Sequence, residues 1–248
     1  MVKVTFLGTN GWFDSETGNT ISILVETPDF HIVLDAGMGI HRLNRYNRED
    51  RPVYIFLSHF HLDHIAGLHT LCKNEFPHGL CFLVHEGGTG ILNNFLNFPY
   101  SKPIRDFEFE TRILEVPEQE GQLPFKAEFL PLIHASCCLG IRLELEGKVI
   151  AFCPDTGYCE NAVTLARGAD LVITECALGP GEVDESWPHL NPDFGARIAR
   201  EAGARKLILT HFDAARYPDK ASREQAEQVA QGLFPNSFAS FDGMQVEI

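Results

Sequence analysis

Long apolar runs are missing from this chain of 248 residues. The longest span about five residues, as at 149–153, whereas a membrane helix needs roughly 18. Positive charge is scarce: 20 lysines and arginines face 34 aspartates and glutamates, a net charge of −14. Non-specific affinity for nucleic acid comes largely from basic groups meeting phosphates, so the chain has no overall field with which to hold a polyanion. Any nucleic acid has to be gripped locally. Cysteine pairing is also lacking. The seven cysteines are an odd number and none forms a Cys-x-x-Cys pair, so neither a disulfide framework nor a zinc ribbon is indicated. They read as small buried hydrophobes. Residues 1–9 alternate as a strand does, with no apolar stretch or small-residue cleavage site of a secretion signal, and a cytoplasmic location is the expectation. What is present is 44% apolar residues, enough to fill the core of a single domain over 1–248.

In the first half, short β-runs at 2–9, 21–27, 31–35, 53–58 and 80–85 are separated by turns such as Pro28-Asp29. After Ser58 the period changes. Ile65, Leu68, His69 and Cys72 recur at three and four, which predicts a helix over 63–72. The second half repeats the theme with a hairpin turning at Glu146-Gly147-Lys148, runs at 170–174 and 206–210, and a helix over 192–201 capped by Asn191. Ser222-Arg223-Glu224-Gln225 fits a capping box for a last helix. Strands followed by helices, twice over, predict two sheets packed face to face with helices outside. Two stretches break the pattern. Residues 86–125 have few strand signals, contain Pro99, Pro103, Phe95, Phe98, Phe107 and Phe109, carry seven acids against three bases, and read as an insertion or lid. Residues 178–190, rich in Gly, Pro and acids, read as a loop crossing the rim.

The chemistry concentrates in Ser58-His59-Phe60-His61-Leu62-Asp63-His64. At a strand end, residues 59, 61 and 63 point to one side, and His64 turns away as a helix begins. Such a segment can offer ligands to two metals at once. Imidazole with carboxylate suits zinc, iron or manganese, and the lack of thiolates argues against a purely structural zinc. At this composition the pattern arises by chance in roughly one chain in a thousand, so a polar turn of unrelated histidines is a poor account of it. His134, Asp155 and His211 each follow a β-run, and strand ends converge on one rim of a sheet. Singly each is weak, because a lone histidine at a strand end is more often a satisfied surface or core residue. With the motif they gain strength as candidates to complete a shell. His31, His41, His69, His78 and His85 fall outside it and read as surface or strand residues.

Taken in order, His59-x-His61-x-Asp63-His64, His134, Asp155 and His211 resemble the five-histidine, two-aspartate dinuclear site of the metallo-β-lactamase superfamily. Leu7-Gly8-Thr9, Leu34-Asp35-Ala36-Gly37-x-Gly39, Asp155-Thr156-Gly157 and Leu207-Ile208-Leu209-Thr210-His211-Phe212 are similar to its ribonuclease Z and cyclic-phosphodiesterase branch. The resemblance implies a four-layer αββα sandwich, an α/β fold of the α+β type, with two divalent metal ions at the open rim. Zinc is the first expectation, with manganese and iron as alternatives. One ion would take His59, His61 and His134, the other Asp63, His64 and His211, with Asp155 bridging. Such a pair, about 3.5–4 Å apart, holds a hydroxide and polarises a phosphoryl oxygen. Asp63 would also take the proton from the attacking water. A departing alkoxide needs an acid, and the branch implies His189 for that role, oriented by Glu175. Arg216 and Tyr217 resemble its phosphate-contacting pair, offset by one residue.

The chain also departs from that branch. Only 21 positions separate His134 from Asp155, and the hairpin uses them, so the long arm with which ribonuclease Z grips transfer RNA has no place there. Leu62 stands where glycine is usual, and the loop 11–19 lacks the arginine usual before its asparagine. With the acidic balance, these departures favour a small or cyclic phosphodiester over transfer RNA as substrate, unless a homodimer brings a basic patch to the site. Trp187, Phe95 and Phe98 read as core or lid packing ahead of base stacking, and Cys137, Cys138 and Cys153 as packing near the ligands. Two other functions stay open. A thioesterase or lactonase of the same fold is disfavoured by the Glu175 and His189 pair, because those leaving groups need less protonation. A non-hydrolytic iron oxidoreductase or metal-bound binding protein is disfavoured because the diiron members put a glutamate where His61 stands.

Overall fold

The computed structural model describes residues 1–46 and 51–248. The chain enters through β1 (Lys3–Gly8) and a two-residue β2 (Asn10–Gly11), then lays down β3 (Ser22–Glu26), β4 (His31–Leu34), β5 (Val53–Phe56), β6 (Leu80–His85) and β7 (Thr111–Val116). The second half supplies β8 (Lys126–Pro131), β9 (Leu139–Leu145), β10 (Lys148–Cys153), β11 (Leu171–Cys176), β12 (Leu207–Asp213), β13 (Ser237–Ala239) and β14 (Gln245–Glu247). Among the described residues these form two sheets, ordered β14-β1-β3-β4-β5-β6-β7 and β13-β12-β11-β10-β9-β8, with β2 beside β12.

Alternate residues of the central strands enter different cores, because successive side chains point to opposite faces. Ile23, Val25, Ile32, Leu34, Leu171, Ile173 and Ile208 fill the space between the sheets. Their neighbours Leu24, Val33 and Ile55 face outward from the first sheet onto Ile40, Leu68, Leu71 and Leu92. Val172, Leu207 and Leu209 face outward from the second, onto Leu165, Ala196, Ile198 and Ala226. Both outer faces are covered by helical segments: α1 (Leu62–Ile65) and α2 (Gly88–Phe95) on one side, α3 (Glu160–Ala166), α4 (Pro192–Glu201) and α5 (Lys220–Leu233) on the other. The result is the expected four-layer αββα sandwich. Each fully buried Val, Leu, Ile or Phe stabilises it by roughly 1.5–3 kcal/mol.

Local signals set the junctions. Asn191 Oδ1 accepts from the Phe194 N–H at 2.8 Å and Pro192 opens α4, as the sequence predicts. Glu146 and Gly147 take positive φ of 51° and 73° in the β9–β10 hairpin, a backbone that matches the strand twist.

Three expectations need correction. The helix predicted over 63–72 is α-helical only to Ile65, and Ala66–Lys73 is a 3₁₀ helix. Tertiary contact redirects it: the Gly67 N–H bonds to Ala36 O at 2.9 Å, and a Cβ on Gly67 would lie 2.2 Å from the Gly37 carbonyl. The stretch 86–125, which reads as an insertion or lid with few strand signals, contributes a strand to the first sheet. Its β7 pairs in parallel with β6, Leu114 and Val116 are buried, and Phe95, Phe107 and Phe109 pack against the outer core. Finally, α5 starts before the proposed capping box. Asp219 caps it, accepting from the Ser222 N–H at 2.8 Å, and Arg223 turns inward.

The parallel strands β4, β5 and β6 and their counterparts β10, β11 and β12 end at one rim, where ligands bind in open sheets of this kind. No described helix is long and apolar enough to cross a membrane.

Candidate active site

At the end of β4, Asp35 adopts a left-handed backbone, φ 56°, and is fully buried. Its carboxylate accepts from the Ser58 N–H and the Ser58 hydroxyl, each at 2.8 Å, which locks the segment leaving β5. It also accepts from His64 Nδ1 at 2.8 Å. That bond fixes the tautomer and turns His64 Nε2 inward, as in metal sites where a carboxylate backs the ligating imidazole. His64 Nε2 then lies 3.1 Å from Asp155 Oδ1 and 3.0 Å from His211 Nε2. Asp63 Oδ2 approaches His211 Nε2 at 3.2 Å.

Around this group sits a second one. His59, His61, His134 and Asp155 place one ligand atom each within 4.8 Å of one another, as do Asp63, His64 and His211. His61 Nδ1 and His134 Nε2 are 3.2 Å apart. Asp155 has one oxygen toward His64 and His211 and the other 3.8 Å from His59 Nε2, so a single carboxylate stands between the two groups. The structure thus brings together all seven residues singled out in the sequence. His211 reaches the cluster from a bulge in β12, with φ 52°, and its ring lies so close over Gly11 that a Cβ there would be 2.6 Å from it.

The donor set is suited to divalent metal ions. Buried His59 Nε2 and Asp155 Oδ1 have no hydrogen-bond partner, and both aim into the cluster. Burial holds the His59 pKa well below the ordinary imidazole range, and burial with the neighbouring His189 and His61 lowers His134 to about 4 despite Asp155, so both rings are neutral near pH 7 and each keeps a lone pair to offer. Burial opposes charge on His64 too, yet Asp155, Asp35 and Asp63 together raise its pKa well above the ordinary value. Carboxylates crowd this spot and favour a positive charge within it. Burial would raise the Asp155 pKa, but His211 and His64 outweigh it and keep the carboxyl ionised.

Beside the cluster, His189 Nδ1 donates to Glu175 Oε1 at 2.6 Å. Glu175 is fully buried at the end of β11 and also accepts from the Thr156 and Ala177 N–H groups, each at 2.9 Å. Burial lowers the His189 pKa, but the Glu175 carboxylate reverses this and raises it to about 9. His189 Nε2 remains as the ring nitrogen available to a substrate. The cleft here is lined by Trp12, His61, Asp63, Asp155, Trp187, His189 and His211. A roomier hollow of about 380 Å³ lies by Pro218 and Phe241, but its described lining includes neither group.

Arg216 and Tyr217 do not line this cleft. Tyr217, expected from the sequence to contact phosphate, is buried, donating its hydroxyl to Leu178 O at 2.7 Å and packing on Phe212. Arg216 is committed to Asp213 at 2.7 Å and Glu182 at 2.9 Å. Cys138 lies 3.8 Å from His59 Nδ1, and burial pushes its thiol well above the usual range, so it packs behind the ligand as an uncharged group. Sequence reasoning missed two contributors. Asp35 stood in a recognised motif without a role, and Trp12, whose backbone N–H donates to Asp63 Oδ2 at 2.7 Å, gave no signal.

Residues 31–212 match the family described as the beta-lactamase superfamily domain, and the chain belongs to that family. It is similar to the probable metallo-hydrolase YhfI of Bacillus subtilis, 27% identical over 220 residues that cover 85% of this chain and 87% of that protein. The crystal structure of YhfI superposes with a TM-score of 0.81, at 24% identity over all of both chains. A ribonuclease Z from Acaryochloris marina is 24% identical along an alignment of 306 residues, covering 100% of this chain and 98% of the other. The short form of human tRNase Z shares the fold, with a TM-score of 0.74 at 19% identity over 99% of each chain.

Proposed function

We propose that this chain is a metal-dependent hydrolase, a dinuclear-zinc phosphodiesterase of ribonuclease Z-like type that prefers small or cyclic phosphodiesters to precursor transfer RNA. The observation that carries it is the buried Glu175–His189 pair, 2.6 Å apart, set beside two groups of metal-ligating side chains. His59, His61 and His134 would hold one ion, Asp63, His64 and His211 the other, with Asp155 shared. When bound, such a pair makes water nucleophilic at neutral pH and neutralises charge on a phosphoryl group. Asp63 accepts the proton of the attacking water. His189, kept protonated by Glu175, gives its Nε2 proton to the departing alkoxide. A carboxylic or thiol ester needs less of that help, and so the acid pair favours phosphodiesters.

Size and charge favour a small substrate. The hairpin of β9 and β10 follows directly after the His134 turn, so no arm projects between His134 and Asp155. The alignment with the A. marina ribonuclease Z is longer than this chain, so that protein carries segments absent here. Among the described residues no lysine or arginine lines the cleft, and a large polyanion needs many such contacts.

The test is the purified protein, loaded with zinc and separately with manganese, assayed on bis(p-nitrophenyl) phosphate, a cyclic nucleotide, a thioester, a lactone and a precursor transfer RNA. Cleavage of the phosphodiesters, with at most slow attack on the transfer RNA, is expected. Exclusive thioester or lactone cleavage would overturn the reaction class, and efficient site-specific removal of the 3′ trailer would overturn the size preference.

A further inference from the structure

We infer that Trp12 and Trp187 form a stacking subsite for a nucleobase, so that the small phosphodiester of the reading above, on which this inference rests, is a nucleoside phosphodiester. The two indoles line the same cleft as the metal-ligating groups and lie nearly parallel, with centroids 6.3 Å apart and planes at 26°. Each is tied to the reacting centre by a different contact. The backbone N–H of Trp12 donates to Asp63 Oδ2 at 2.7 Å, and the Trp187 ring sits 4.0 Å from that of His189.

Trp12 is 61% exposed. An indole closed into a stack would lose most of its exposed area, so the pair leaves apolar aromatic surface for a ligand to cover. This exposure is built into the fold. Trp12 holds a left-handed backbone, φ 65°, a strained conformation for a residue with a side chain. Its loop is fastened by the buried guanidinium of Arg223, which donates to Thr9, Asn10 and Thr17. Trp187 is braced as well, with the Arg216 guanidinium over its ring at 5.2 Å. Strain held in place at a cleft mouth marks a position kept for function rather than for packing.

The chemistry of the lining selects the occupant. Among the described residues no lysine or arginine lines the cleft, and Arg216 beside Trp187 is already paired with Asp213 and Glu182, which disfavours a second phosphate; beyond the metal-ligating groups and His189 the described walls are the two indoles. A flat, uncharged ring attached to the phosphodiester fits that wall, and stacking is tolerant of which base it is.

The chain has two tryptophans, and they are these two, so its intrinsic fluorescence reports on the pair directly. The experiment titrates the metal-loaded protein with adenosine monophosphate and with ribose 5-phosphate, which keeps the sugar phosphate and has a hydroxyl in place of the base. Adenosine monophosphate should quench the fluorescence and bind roughly 5- to 150-fold more tightly, the range expected from stacking one base. Trp12→Gly, which suits the positive φ and keeps the backbone N–H, should abolish most of that preference by calorimetry, and Trp12→Phe should restore part of it. Equal binding of the two ligands, or a preference that survives in Trp12→Gly at unchanged metal content, would overturn the inference. If base preference is absent while bis(p-nitrophenyl) phosphate is still cleaved, only the subsite fails. If neither is found, the phosphodiesterase reading fails with it.

Discussion

His64 and His211 lie in closed protein, whereas His61 stands exposed and His134 half-buried at the open rim. The closed group is braced from behind: Asp35 holds His64, the Trp12 N–H holds Asp63, and Gly11 lets the ring of His211 settle against the backbone. In the open group only His59 has comparable support, from the Ser58 hydroxyl at 3.0 Å and the Cys138 thiol. The contrast teaches that one half of the site is prepared in advance and the other is left accessible. Preparation of ligands raises metal affinity, so the closed group should fill first and a chelator should strip the open group first. Asp155 belongs to both, and its loss should have the largest effect. Asp155→Ala should leave less than one equivalent of metal and reduce turnover by roughly 10³-fold or more, beyond the 10- to 100-fold typical of residues behind the ligands. Elemental analysis after gel filtration checks this, and a variant that kept both ions would break the picture of one shared carboxylate.

His189 stands over both groups, its ring 5.3 Å from that of His134 and 6.3 Å from that of His211. If it is the acid, its removal should hurt in proportion to the leaving group rather than to metal occupancy. His189→Ala should slow cleavage of a poor alkoxide ester by roughly 10²–10⁴ and of an activated p-nitrophenyl ester far less. Equal losses on the two substrates would assign His189 to binding.

A sharper test of the closed group is Asp35→Ala. It removes the partner of His64 Nδ1 and of Ser58 without touching a ligand. Metal affinity of the closed group should fall about 10- to 100-fold, read by competition with a calibrated chelator, while the open group changes less. A uniform fall in both would mean that Asp35 supports the whole rim through Ser58 and that the two halves are not independent.

The same contrast runs through what the sequence makes legible. The metal-ligating candidates can be read because metal chemistry demands particular residue types at strand ends, and a strand end puts them on the rim whatever the details around it. The layers can be read because alternate residues such as Ile23, Leu24 and Val25 feed opposite cores. Asp35 could be seen in its motif, but its bond to His64 joins residues 29 positions apart, and no local pattern announces that. Trp12 acts on Asp63 through its backbone N–H, which every residue but proline possesses. β7 is obscured for another reason. On this edge strand only Leu114 and Val116 are buried, and Arg112 and Glu115 interrupt the apolar signal. The inward turn of Arg223 is hidden because a capping pattern describes a helix start and says nothing of which face meets the core.

The smallest expected effect concerns Tyr217, behind the closed group. Its ring packs on Phe212, the residue after His211, and its hydroxyl donates to Leu178 O and contacts Cys176 Sγ at 3.4 Å. Tyr217→Phe keeps the ring and removes only the hydroxyl, leaving a buried carbonyl short of one donor. That should lower stability by about 1 kcal/mol, a fall in Tm of roughly 2–4 °C for a chain of this size. The KM for a small phosphodiester should stay as it is, because the phenol is buried with its hydroxyl bonded to Leu178 O. A several-fold rise in KM with stability intact would mean that the phenol reaches the phosphate after all. A large loss of metal would mean that the closed group owes its rigidity to the packing behind it as well as to Asp35.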